Sequence, residues 1–185
     1  MTDEAHLEPT EQGAQRPADG GWYILNLAQM RWQGFRGGGA FTGFESGPGE
    51  PVPLGIGVHI LYPGDAPGYY HAETELEGFL VLSGECIAVV EGQERAMGPW
   101  DYLHCPPGTA HITVGAGAGP CAILMYGTHG EGHGIRYLPD AAAARHGHSV
   151  ERESHSPQEV YADRPPILEL PSCWPPPARF PDPRP

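Results

Sequence analysis

Between Tyr69 and Glu85 the chain reads YYHAETELEGFLVLSGE. One imidazole and three carboxylates, His71, Glu73, Glu75 and Glu77, occupy alternate positions just ahead of the apolar run Phe79–Leu82. Alternate side chains of an extended backbone share a face, so the spacing predicts that all four point the same way. Burying a carboxylate is costly unless it neutralises, pairs or binds a cation. Between Gly37 and Ile135 the only basic side chain other than histidine is Arg95. One guanidinium cannot pair three glutamates, so a divalent metal ion is the economical counter-charge. Glu75 reads as the turn or surface member of the set.

The elements that must hold these groups are short and β-like. Leu54–Leu61 alternates Leu54, Ile56, Val58 and Ile60 with Gly55, Gly57, His59 and Leu61. GFLVLSGECIAVVEG gives two apolar runs joined at the Ser83-Gly84 turn signal, WDYLHCPPG a strand ended by proline, and AHITVGAGAGPCAILMYG two more across a glycine-rich turn. Short strands without intervening helices mean a sandwich or barrel, an all-β fold. WYILNL (Trp22–Leu27) reads as a strand, and a short edge strand is expected around Phe41–Phe44 inside a loop-like, glycine-rich stretch that runs on to 51.

Three segments follow: a disordered arm over 1–20, a barrel with N-terminal strands over 21–138 (motif core 53–126), and an extension over 139–185. Asp140 and Gly147 bracket one short helix in the extension; Ser156, Pro157 and Glu159 open a second. The end, PPILELPSCWPPPARFPDPRP, is too proline-rich for regular structure and is expected to lie against the barrel through Ile167, Leu168, Leu170 and Trp174.

Composition narrows the partners. The 185 residues carry Lys+Arg 10 against Asp+Glu 23, a net charge of -13, and no lysine. That balance argues against nucleic acid and against an anionic membrane surface. No run approaches the roughly 20 apolar residues of a membrane helix, and the acidic start lacks the apolar core of a signal peptide. A cytoplasmic protein with free thiols at Cys86, Cys105, Cys121 and Cys173 is expected.

The motifs resemble those of the cupin superfamily, G(X)5HXH(X)3–4E(X)6G and G(X)5PXG(X)2H(X)3N, and most nearly small single-domain bacterial members without an assigned function. His71, Glu77 and Gly84 match the first motif; Pro106, Gly108 and His111 match the second. The chain departs at four points. Glu73 stands for the second histidine, six residues rather than five separate Gly64 from His71, Trp100 takes the place of a glycine, and Gly115 replaces the final asparagine. The resemblance implies a double-stranded β-helix, a jelly-roll barrel, with one divalent transition metal held inside by His71, Glu73, Glu77 and His111. Mixed nitrogen and oxygen donors suit Zn, Fe, Mn or Ni. Glu73 is open to three roles: ligand, hydrogen-bond partner of a ligand, or outward-facing. Without it, His71, Glu77 and His111 still make a two-histidine, one-carboxylate set.

His59, Tyr69 and His104 are candidate pocket residues, against the ordinary reading of core packing. Cys105 reads as a small buried filler. His129 and His133 read as solvated loop residues rather than a second metal site. No nucleophile or nucleotide motif appears, so catalysis, if present, falls to the metal. The resemblance implies dioxygenase or isomerase and lyase chemistry, in a homodimer, and the scarcity of cations near the barrel favours a small neutral or chelating molecule over an anionic one. The alternatives are a non-catalytic small-molecule sensor with a structural metal, and a metal-free barrel.

Overall fold

Glycine and proline cut the apolar runs into strands of eight residues or fewer, and the computed structural model stacks them as two sheets. It describes residues 3–10, 13–44, 53–130 and 132–182. Positions 45–51 of the expected loop, four positions of the N-terminal arm and the last three of the tail lie outside them.

The strands in chain order are β1 (Leu7–Pro9), β2 (Gln15–Pro17), β3 (Trp32–Phe35), β4 (Gly39–Gly43), β5 (Leu54–Leu61), β6 (His71–Glu73) and β7 (Glu77–Ser83). They continue as β8 (Glu85–Val90), β9 (Gln93–Met97), β10 (Tyr102–Cys105), β11 (His111–Ala116), β12 (Cys121–Thr128), β13 (Ile135–Tyr137) and β14 (Leu168–Leu170). One sheet has the order β10-β7-β12-β5-β4-β3-β14, the other β13-β6-β11-β8-β9. This is the all-β jelly roll that the motifs imply.

Three apolar layers follow from strand alternation. Between the sheets lie Leu61, Phe79, Val81, Cys86, Ala88 and Ile123. The outer face of the five-stranded sheet packs Ile112 and Val114 against Ala142 and Ala143 of α1 (Ala141–Arg145). The outer face of the seven-stranded sheet packs Val58, Ile60 and Trp32 against Leu170, Cys173 and Trp174. Both faces of β5 are therefore used: even positions under the tail, odd positions toward the interior.

Helix caps match the sequence reading. Asp140 accepts from the amides of Ala142 and Ala143, and Gly147 follows at a φ of 81°. Ser156 accepts from Glu159 at the start of α2 (Pro157–Val160). All four cysteines are buried and free.

Several expectations are corrected. The alternating stretch at 71–77 is not one strand: β6 and β7 belong to different sheets, and the chain turns between them at Thr74 and Glu75. Ser83-Gly84 joins two sheets, not two neighbours in one. Gly84 sits at a φ of 76°, and a Cβ there would collide with the Pro120 carbonyl oxygen. WYILNL forms no strand; Asn26 accepts from the Ala28 amide and turns the chain into a 3-10 helix over Leu27–Gln29, leaving Ile24 82% exposed. The strand near Phe41 is internal, because β3 and β14 extend the sheet beyond it. β14 gives the tail regular structure where Ile167–Leu170 is free of proline, an edge position that needs few donors. In the arm, β1 and β2 pair as a small antiparallel ribbon, held by Arg16 on Glu8.

Candidate metal centre

The corner between β6 and β7 brings acidic and imidazole groups from both sheets to one cavity. His71 lies on β6 directly opposite His111 on β11, and their rings are 5.0 Å apart. Glu77 opens β7, in the other sheet. Donor atoms of His71, Glu77 and His111 all lie within 4.8 Å of one another. Glu77 Oε2 is 3.2 Å from His111 Nε2 and 4.0 Å from His71 Nε2. Two donors each about 2.1 Å from a tetrahedral ion would sit about 3.4 Å apart, inside that spread.

Each imidazole is oriented by the strand that carries it. His71 Nδ1 donates to the Tyr69 carbonyl at 2.7 Å, and His111 Nδ1 to the Thr109 carbonyl at 3.0 Å. A carbonyl only accepts, so each Nδ1 carries hydrogen and each Nε2 faces the cavity, an arrangement that suits metal ligation. His111 Nε2 is buried and makes no well-aligned hydrogen bond. An orphaned buried nitrogen beside a carboxylate fits a cation between them. Phe79 closes edge-on over His111, centroids 5.0 Å apart.

Charge in the cluster is finely opposed. Burial works against a proton on His111, yet contact with the Cys105 sulfur and the Glu77 carboxylate outweighs it and pushes its pKa up to about 10. Burial, and then the neighbouring His111, lower His71. Burial alone would raise Glu77, but His111 holds it below the usual carboxylate range. Burial and then the Glu77 charge push Glu73 up to about 6.

Glu73 stands beside the trio and outside it. Its Oε1 is 3.7 Å from His71 Nε2 and its Oε2 3.8 Å from His133 Nε2. Glu75 turns away and accepts from the Thr128 hydroxyl at 3.0 Å. Among the pocket candidates, His59 lines the cavity. Tyr69 contributes its carbonyl to His71, while its ring packs on Tyr161, centroids 5.7 Å apart, beside a separate cavity. His104 is not brought in; it is exposed on β10 and packs by Tyr102, because Leu103 and Cys105 take the inward positions of that strand. The sequence reading set His129 and His133 aside as solvated loop residues and missed Tyr161, yet all three line the cavity. Their only signal was proximity in sequence to β12, β13 and a capped helix.

The cavity measures about 750 Å³, within the range of small-molecule sites. Residues 57–127 match the family model described as a cupin domain. That stretch is a cupin domain within the chain. No curated protein matches it. Among solved structures, the polyketide cyclase RemF from Streptomyces resistomycificus is similar at 16% identity, covering 57% of this chain and 78% of that one, with a TM-score of 0.50. A sugar phosphate isomerase of the cupin superfamily from Silicibacter pomeroyi is 22% identical over 56% of this chain and 72% of its own, TM-score 0.49. A protein from Acidithiobacillus ferrooxidans is 24% identical, TM-score 0.44; the match covers 45% of this chain and 55% of that one. At 16% identity the likeness to RemF speaks for the fold alone.

Proposed function

We propose that this cupin binds one divalent transition metal through His71, Glu77 and His111 and presents it to a small neutral molecule in the barrel cavity. The observation that carries the reading is the convergence of three donor atoms within 4.8 Å on the wall of a 750 Å³ cavity. When bound, such an ion supplies Lewis acidity to an oxygen of the guest, and three protein donors leave positions for it.

The chain's own groups divide the remaining work. Glu73 lines the cavity without joining the trio, so its carboxylate is left to take or return a proton at Oε1 or Oε2. A carboxylate whose pKa lies near 6 is well matched to that task near neutrality. This favours isomerase or lyase chemistry over dioxygenation. Among the described residues no arginine lines the cavity, and the chain has no lysine. A phosphate group would find no arginine or lysine side chain there, which supports a neutral guest. Pairing of barrels as a homodimer belongs to the same proposal.

Elemental analysis of tag-free protein tests it. We expect close to one metal equivalent per chain, lost in His71→Ala and in His111→Ala and retained in Glu73→Gln. Wild-type protein that takes up no divalent metal overturns the reading; loss of metal in Glu73→Gln moves Glu73 into the ligand set.

A further inference from the structure

The cavity has a second polar region that the metal reading leaves unused. His59 on β5 and Thr113 on β11 both face its interior. Thr113 is 1% exposed and its Oγ1 has no hydrogen-bond partner; His59 Nδ1 is likewise shut from solvent and unpaired. Buried polar atoms in folded proteins are nearly always paired. Two orphans on one cavity mark a place for a partner from outside the chain.

Their surroundings define that partner. Phe41 stacks on the His59 ring, centroids 5.6 Å apart at 26°, and Phe79 and Met125 complete an apolar wall. Burial lowers His59 to about 4, so its imidazole is neutral near pH 7 and offers one donor and one acceptor. A threonine hydroxyl does both as well. With no arginine or lysine on the cavity wall among the described residues and His59 itself neutral, an anion at His59 would go uncompensated, whereas a neutral hydroxyl satisfies both groups.

The spacing sets the size. Thr113 lies two residues beyond His111 on the same face of β11, about 7 Å along the strand. That is the span of one six-membered ring substituted at opposite ends.

We propose that His59 and Thr113 form a recognition subsite for a neutral hydroxyl on a flat ring whose far end reaches the His71–Glu77–His111 trio. The ring's orientation rests on the metal reading; the hydroxyl subsite stands without it.

Paired neutral probes test this on the full chain: 4-hydroxybenzamide and benzamide, which differ by one para hydroxyl, titrated calorimetrically with and without zinc. The hydroxylated probe is expected to bind roughly tenfold more tightly. Thr113→Val should shrink that preference to about twofold or less, and His59→Leu should do the same. Thr113→Ser, which restores the hydroxyl, should recover it. Zinc uptake by all three variants should equal wild type. Equal affinity for the two probes in wild type, no binding of either, or a preference untouched by both Thr113→Val and His59→Leu overturns the subsite. So does a soaked crystal in which ordered waters still satisfy both atoms. A hydroxyl preference that persists in protein unable to bind zinc removes the metal proposal and leaves the subsite standing.

Discussion

His111 carries the sharpest test at the level of single residues. In the metal-free chain its pKa stands near 10, while His71 and Glu77 are both lowered. At pH 7.5, then, His111 holds a second proton, and the other two groups are already in their metal-binding forms. Binding an ion through His111 Nε2 must expel that proton. We expect release of about one proton per ion at pH 7.5, read from the buffer dependence of the calorimetric heat, and a metal affinity that rises with pH. The sign also applies to folding. The raised His111 value contributes stability present below the ordinary 6.5 and lost as pH climbs through about 10. Metal uptake with no proton exchanged would contradict the pairing of His111 with Glu77. At this scale the sequence was readable where motif spacing fixed a side chain, as for His71, Glu77 and His111. It was not readable for His104, whose facing depends on strand register, or for His133, which arrives on a loop with no periodic pattern.

Individual elements show why the family pattern tolerates substitution in this chain. Trp100 stands where the motif has glycine, and its φ is 71°, in the left-handed region that favours glycine. The turn persists because Trp100 N donates to Val81 O at 2.8 Å and Asp101 accepts from the Gly98 amide at 2.8 Å. The indole gains little in return, being 74% exposed. Left-handed backbone costs a side chain with a Cβ about 1–2 kcal/mol. Glycine would remove that strain, offset in part by the extra freedom it gives the unfolded chain. Trp100→Gly should therefore raise unfolding free energy by about 1 kcal/mol in urea titrations; a loss of stability would show that the indole packs against something. The other lesson of scale concerns the corner at Thr74–Glu75. Alternation along 71–77 placed four polar groups on one predicted face, yet the chain changes sheets there. The convergence survives because a jelly-roll corner aims the end of β6 and the start of β7 at the same interior, whereas Glu75, at the corner itself, is turned out to Thr128. Period-two patterning reports facing within a strand; it carries no information on where a strand stops.

For the molecule as a whole, the position of the trio matters more than its composition. His71 and His111 belong to the five-stranded sheet and Glu77 to the seven-stranded one, so an ion held by all three ties the layers together across the interior. The apolar layer between the sheets thins toward this end, where the cavity replaces packed side chains with imidazoles, carboxylates and the bare Gly55 and Gly57 of β5. Metal removal should then loosen the barrel globally and not just at the site. A ligand that binds only the folded state adds RT ln(1 + [L]/Kd), about 2.7 kcal/mol at a free concentration of 100 Kd. Zinc or manganese at that excess should raise wild-type unfolding free energy by about this amount and leave His111→Ala unchanged. Amide exchange should slow in β6 and β11 and also in β7 and its neighbour β12, while the β1–β2 ribbon, outside both sheets, keeps its rate. Protection confined to β6 and β11 would mean that Glu77 does not bridge to the ion and that the two sheets hold together without it.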